Sequence, residues 1–172
     1  MESAREQALG GWLAAIGASG WRKATLEAAA EAAGLTGREV TTALGDRFDA
    51  LAALQGNVAR EVALGAAAGE TVRERLFDGI MQGFDLLQAN RAAVLAVWRS
   101  RDPGVAMIVA GRAGLHVRRL ATASGMQVAG LKGQARLAAL AALCFQAFAA
   151  WRADDSADMA RTMADLDRLL DR

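Results

Sequence analysis

The stretch "TLEAAAEAAGLTGREVTTALGD", residues 25–46, decides the fold. Thr25 can cap a helix, and Glu27 puts a carboxylate in its first turn, where the helix dipole favours one. Leu26, Ala29, Ala30 and Ala33 then recur at helical spacing, Gly34 stops the helix, and Leu35 follows as a core plug. Thr36 opens a second helix, and Glu39, three residues on, completes a capping box. Val40 and Leu44 turn inward four residues apart, Gly45 ends the helix, and Asp46 caps the next.

Outward from this stretch the pattern stays helical. Upstream, Leu9, Trp12, Leu13 and Ile16 predict a first helix closed by Gly17 and Gly20. Downstream, Phe48, Leu51, Leu54, Val58 and Val62 recur every three or four residues, predicting a long helix from Arg47 to about Leu64. "GAAAGET", residues 65–71, is a hinge-like break. Helices follow through Val72–Leu87, Val94–Trp98, and Pro103 to about Ser124-Gly125. Residues 131–153 read as one helix that is apolar nearly all round. "ADDSAD" interrupts it, Asp155 or Ser156 caps a final helix, and Met159, Met163, Leu166 and Leu170 form its stripe.

Composition agrees. Of the 172 residues 53% are apolar, mostly alanine and leucine, with no tyrosine and one proline, a mixture that builds helices and starves strands. The expected fold class is all-α. A helix apolar on every side needs cover on every side, so a homodimer through the last two helices, 131–153 and 157–171, is expected. The longest apolar run, residues 137–151, is too short to span a bilayer, so no stable membrane insertion is expected. The N-terminus has no signal-peptide pattern, and the single Cys144 suits a reducing compartment, which predicts a cytoplasmic protein.

Catalytic chemistry is thinly supplied. His116 and Cys144 are the only residues of their kinds and lie on different expected helices, so no metal-ligand spacing arises. The glycine-containing "GASG" and "AGRAGLH" follow no strand, which removes the usual phosphate-cradling context. No cofactor and no enzymatic activity are expected.

Two short helices joined by a glycine turn and followed by a long helix make a helix-turn-helix. In that motif the second helix enters the major groove, so Gly37, Arg38, Thr41 and Thr42 are the outward-facing candidates. Arg38 could reach a guanine or a phosphate, the threonines could meet thymine methyls or phosphates, and Gly37 would permit close backbone approach. Arg22, Lys23, Thr36 and Arg47 complete the candidate DNA-binding set. Against them stands the local charge: residues 1–52 hold five basic and seven acidic side chains, a net −2. Phosphate neutralisation dominates affinity for duplex DNA, so the expected binding is weak and salt-sensitive.

Residues 20–51, with Gly20-Trp21, Ala33-Gly34, Leu35-Thr36 and Arg47, resemble the N-terminal domain of tetracycline-repressor-type (TetR) regulators. That family usually carries a phosphate-contacting tyrosine where this chain has Thr41, and a phenylalanine where it has Leu44. The resemblance implies about nine helices, a helix-turn-helix DNA-binding domain over residues 1–52, and a helical ligand-binding and dimerisation domain over 53–172. It implies a ligand-responsive repressor that binds an operator in duplex DNA as a dimer. Residues 73–94 and 151–170 are similar to a proteobacterial TetR-like branch that itself resembles the lipid-binding accessory protein of coenzyme Q biosynthesis. That similarity implies the alternative of a TetR-shaped isoprenoid-binding protein without DNA binding. In either case a small apolar ligand or lipid is the expected partner, with Phe77, Met81, Phe84, Trp98, Met107 and His116 as pocket candidates, since aromatics and methionines line adaptable apolar cavities.

Overall fold

The computed structural model describes residues 3–171, which form nine α-helices and no strand. They are α1 (Ala4–Ser19), α2 (Leu26–Ala33), α3 (Gly37–Ala43), α4 (Arg47–Gly65), α5 (Val72–Ala89), α6 (Arg91–Ser100), α7 (Pro103–Ala123), α8 (Gly130–Ala153) and α9 (Ala160–Leu170). The chain divides into two compact units, one formed by Met1–Asn57 and Leu87–Val109, the other by Val58–Leu86 and Ala110–Arg172. The first unit therefore joins α6 and the start of α7 to the helix-turn-helix segment, although they are distant in sequence.

In the first unit, Ser3 and Glu6 form a capping box that starts α1, and the helix buries Ala8, Leu9, Trp12, Leu13 and Ile16. Gly11 sits where α1 meets α2: a Cβ there would lie 2.2 Å from the Ala29 carbonyl oxygen. Thr25 accepts from the Ala28 N–H to start α2, and Gly34 closes it at φ 65°, the left-handed conformation that glycine adopts without strain. Trp12 Nε1 donates to the Gly45 carbonyl at 3.2 Å, tying the end of the α3 turn to α1. At the start of α4, Asp46 accepts from the Phe48 and Asp49 amides while Asp49 accepts from the Asp46 N–H. Trp21, 1% exposed, meets the Phe48 ring edge-on with centroids 5.1 Å apart.

In the second unit, glycines let α4 and α5 pack closely, since a Cβ on Gly79 would lie 2.8 Å from the Val62 carbonyl oxygen. Phe84 on α5 and Phe148 on α8 both stack on the buried Trp151. Arg73 donates to Asp167 and Asp171, pinning the start of α5 to α9. The expected cap of α9 at Asp155 or Ser156 is corrected: Asp154 does that work. Its carboxylate accepts from the Thr162 N–H and hydroxyl, both at 2.7 Å, and from the Ser156 N–H and hydroxyl. Met159 holds the cap position itself at φ 54° with no side-chain bond, so the orphaned first-turn amides find acceptors further back, Asp158 Oδ1 for the Ala160 N–H and Asp154 for the Thr162 N–H. The α8 helix also begins earlier than the apolar run it contains. At 24 residues it is long and apolar enough to cross a bilayer, which corrects the estimate based on residues 137–151 alone.

Candidate nucleic-acid interface

Helix α3 is seven residues long, and a reciprocal capping box fixes its start. Thr36 Oγ1 accepts the Glu39 N–H at 3.2 Å, and Glu39 Oε2 accepts the Thr36 N–H at 2.8 Å. Val40 is fully buried beneath it. With that residue inward, helical geometry sends Arg38 and Thr42 directly outward and puts Thr41 and Glu39 on the flanks; all four are exposed. Thr41 turns its hydroxyl back onto the Gly37 carbonyl at 2.9 Å, so its methyl is the group left facing out. Gly37 is half-buried instead of outward: α2 crosses the first turn, and a Cβ at Gly37 would lie 3.5 Å from Leu26 Cδ2.

The flanking cations divide into two kinds. Arg38 and Lys23 are exposed, and neither side chain makes a hydrogen bond or ion pair among the described residues. Arg22, also exposed, donates to the Ser100 carbonyl at 3.3 Å. Arg47 is half-buried, donates to the carbonyls of Trp21 and Arg22, and lies over the Trp21 and Phe48 rings at 5.3 and 5.5 Å. Thus Arg38, Thr41 and Thr42 share one exposed face, while Thr36 serves the capping box and Arg47 serves the core of its unit.

The pocket candidates are separated. Trp98 and Met107 fall in the first unit and are 43% and 75% exposed, while Phe77, Met81, Phe84 and His116 belong to the second. Phe84 is committed to Trp151, with Phe77, Met81 and His116 half-buried. Burial, with Arg119 and Arg112 nearby, lowers the His116 pKa and favours the neutral ring. Two open cavities, of about 420 Å³ between α1 and the start of α6 and about 260 Å³ between α8 and α9, are lined by none of the six.

The sequence reads residues 131–153 as apolar nearly all round, which misses the two distinct faces of α8. Gly133, Leu140, Ala147 and Trp151 are buried, seven or four residues apart, whereas Leu131 is 90% and Phe145 61% exposed. The signal was available: Leu131, Ala138, Ala142 and Phe145 recur at helical spacing opposite the buried row.

Solved structures share this fold. The TetR transcriptional regulator from Nitrosomonas europaea ATCC 19718 matches with a TM-score of 0.80 at 16% identity, over 97% of this chain and 95% of that one. The TetR family repressor AlkX from Dietzia sp. strain DQ12-45-1b, implicated in biodegradation of n-alkanes, matches with a TM-score of 0.54 at 16% identity, over 98% and 96%. By sequence, no family model and no curated protein matches the chain. The likeness shows that the chain has the all-α TetR fold over nearly all of its length.

Proposed function

We propose that the chain is a DNA-binding transcriptional regulator of TetR type, a ligand-responsive repressor working in the cytoplasm. One observation carries this reading: α3, the second helix of the helix-turn-helix and in this reading the one that enters the major groove, holds Arg38, Thr41 and Thr42 on one exposed face behind a capping box. Residues 1–52 carry DNA reading and 53–172 carry ligand binding and dimerisation. Arg38 supplies base contact, Thr42 and the Thr41 methyl supply apolar contact, and Lys23 and Arg22 approach phosphates.

The outward face of α8, with α9 beside it, is the homodimer surface in this reading. Helices of 24 and 11 residues present roughly 525 Å² per copy at about 10 Å width, at the low end of what a specific interface needs. Covering that face with a second copy also removes the apolar surface that would otherwise seek a bilayer. An apolar ligand or lipid enters the second unit near Phe77, Met81 and His116. Helices α4, α5 and α7 each contribute residues to both units, so in this reading ligand binding and DNA reading share helices.

The lipid-binding accessory reading has one observation in its favour, the net −2 of residues 1–52 combined with an Arg47 already committed to aromatic rings. The deciding experiment is binding of the purified chain to the DNA upstream of its own gene. A regulator binds a short pseudo-palindrome there, and Arg38→Ala weakens that site at least tenfold while preserving fold. No duplex binding at low salt, with lipid co-purifying, selects the accessory protein.

A further inference from the structure

Glu39 is the anomaly of the reading helix, a carboxylate beside the face that would approach polyanionic DNA. Its two oxygens are not equivalent. Oε2 accepts both the Thr36 N–H at 2.8 Å and the Thr36 hydroxyl at 2.7 Å. Oε1 accepts from no group among the described residues, and the residue is exposed. The capping box therefore does more than start α3: it clamps one end of the carboxylate and presents the other in a fixed direction. Arg38, its exposed neighbour, forms no ion pair with it, so neither charge is cancelled by the other.

We infer that Glu39 is a specificity-determining residue that accepts, through Oε1, the N4 amino group of a cytosine in the major groove, next to the guanine contacted by Arg38. The inference rests on the reading of α3 as the recognition helix. Hydrogen bonds from the Thr36 amide and hydroxyl hold the Glu39 carboxyl below the usual carboxylate range, so it stays ionised and can only accept. Guanine shows two acceptors in the major groove and thymine one, so both repel it. Adenine pairs its N6 donor with an N7 acceptor, whereas cytosine shows a donor alone. Arg38, donor-only, has the opposite preference and suits guanine O6 and N7. Successive residues on a helix do not face each other, so the two side chains address neighbouring base pairs. A carboxylate close to phosphates costs affinity and rejects wrong bases, and this trade explains an acidic residue on the reading helix.

The test is selection of sites by the full-length protein from a randomised duplex library, comparing wild type with Glu39→Gln. Glutamine keeps the capping box but brings a donor to the groove. Wild type should enrich cytosine at one position per half-site, discriminating about 5- to 100-fold. Glu39→Gln should lose that preference, bind non-specific duplex severalfold more tightly, and keep its Tm within a few degrees. Independently of any variant, N4-methylcytosine at that position should weaken wild-type binding at least fivefold, with no such loss at other cytosines. Unchanged base preference in Glu39→Gln, or indifference to N4-methylation, overturns the assignment and leaves the regulator reading standing. Failure of wild type to bind any duplex at low salt overturns both.

Discussion

Arg47 shows how one side chain can be recruited by the fold before any partner arrives. Its guanidinium lies over two aromatic rings and donates to two carbonyls. A cation–π contact contributes about 0.5–1 kcal/mol and a hydrogen bond about 1 kcal/mol. Arg47→Ala should therefore lower stability by about 1–2 kcal/mol in urea unfolding. Arg47→Lys should recover less than half of that, because an ammonium cannot stack flat and donate to two carbonyls together. Arg38 has the opposite profile: Arg38→Ala should leave Tm within about a degree, since the side chain is exposed and makes no hydrogen bond or ion pair among the described residues.

Among the elements, α9 depends on a group outside itself. Asp154, 3% exposed, accepts from the hydroxyls and amides of Ser156 and Thr162, and these bonds hold its carboxyl well below the usual carboxylate range. A depressed folded-state pKa stabilises the fold above the unfolded-state value near 4 and loses that contribution as pH falls below it. Tm should thus drop as pH is lowered from about 4 to about 2, and Asp154→Asn should lower Tm by several degrees at neutral pH while flattening this acid limb. Two adjacent glycines on α1 make a paired prediction. Gly10 has open space where a Cβ would stand, and Gly11 has the Ala29 carbonyl at 2.2 Å. Gly10→Ala should stabilise by roughly 0.5 kcal/mol or more, whereas Gly11→Ala should cost about 1–3 kcal/mol, both read by denaturant titration. These residues mark how far the sequence could be read. Caps at Thr25, Thr36 and Asp46 were legible because capping is local: the bonded groups lie within three residues. The role of Gly11 was not, because what it meets is 18 residues away. The α9 cap was displaced from Ser156 or Asp155 to Asp154 for a similar reason, its partner Thr162 lying eight residues on.

For the molecule as a whole, the all-α architecture followed from composition and period, but the division of the chain did not. No local pattern announces that α6 joins the helix-turn-helix segment, because that grouping depends on contacts such as Gly17 against Ala92. The pocket candidates suffered likewise: aromatic and methionine character marks them as packing groups without saying which unit each joins. The exposed face of α8 carries its own prediction. If that face is the proposed dimer surface, the wild type should sediment as a dimer at about 10 µM and Phe145→Arg as the 18.0 kDa monomer, with helicity retained. The most direct test of the central claim is a salt series on binding to the upstream pseudo-palindrome. If two copies each bring two or three exposed cations to phosphates, log K should fall against log salt with a slope of about −4 to −5. Sequence-selective binding with that slope is the predicted result, and absence of selective binding at any salt concentration would contradict the account.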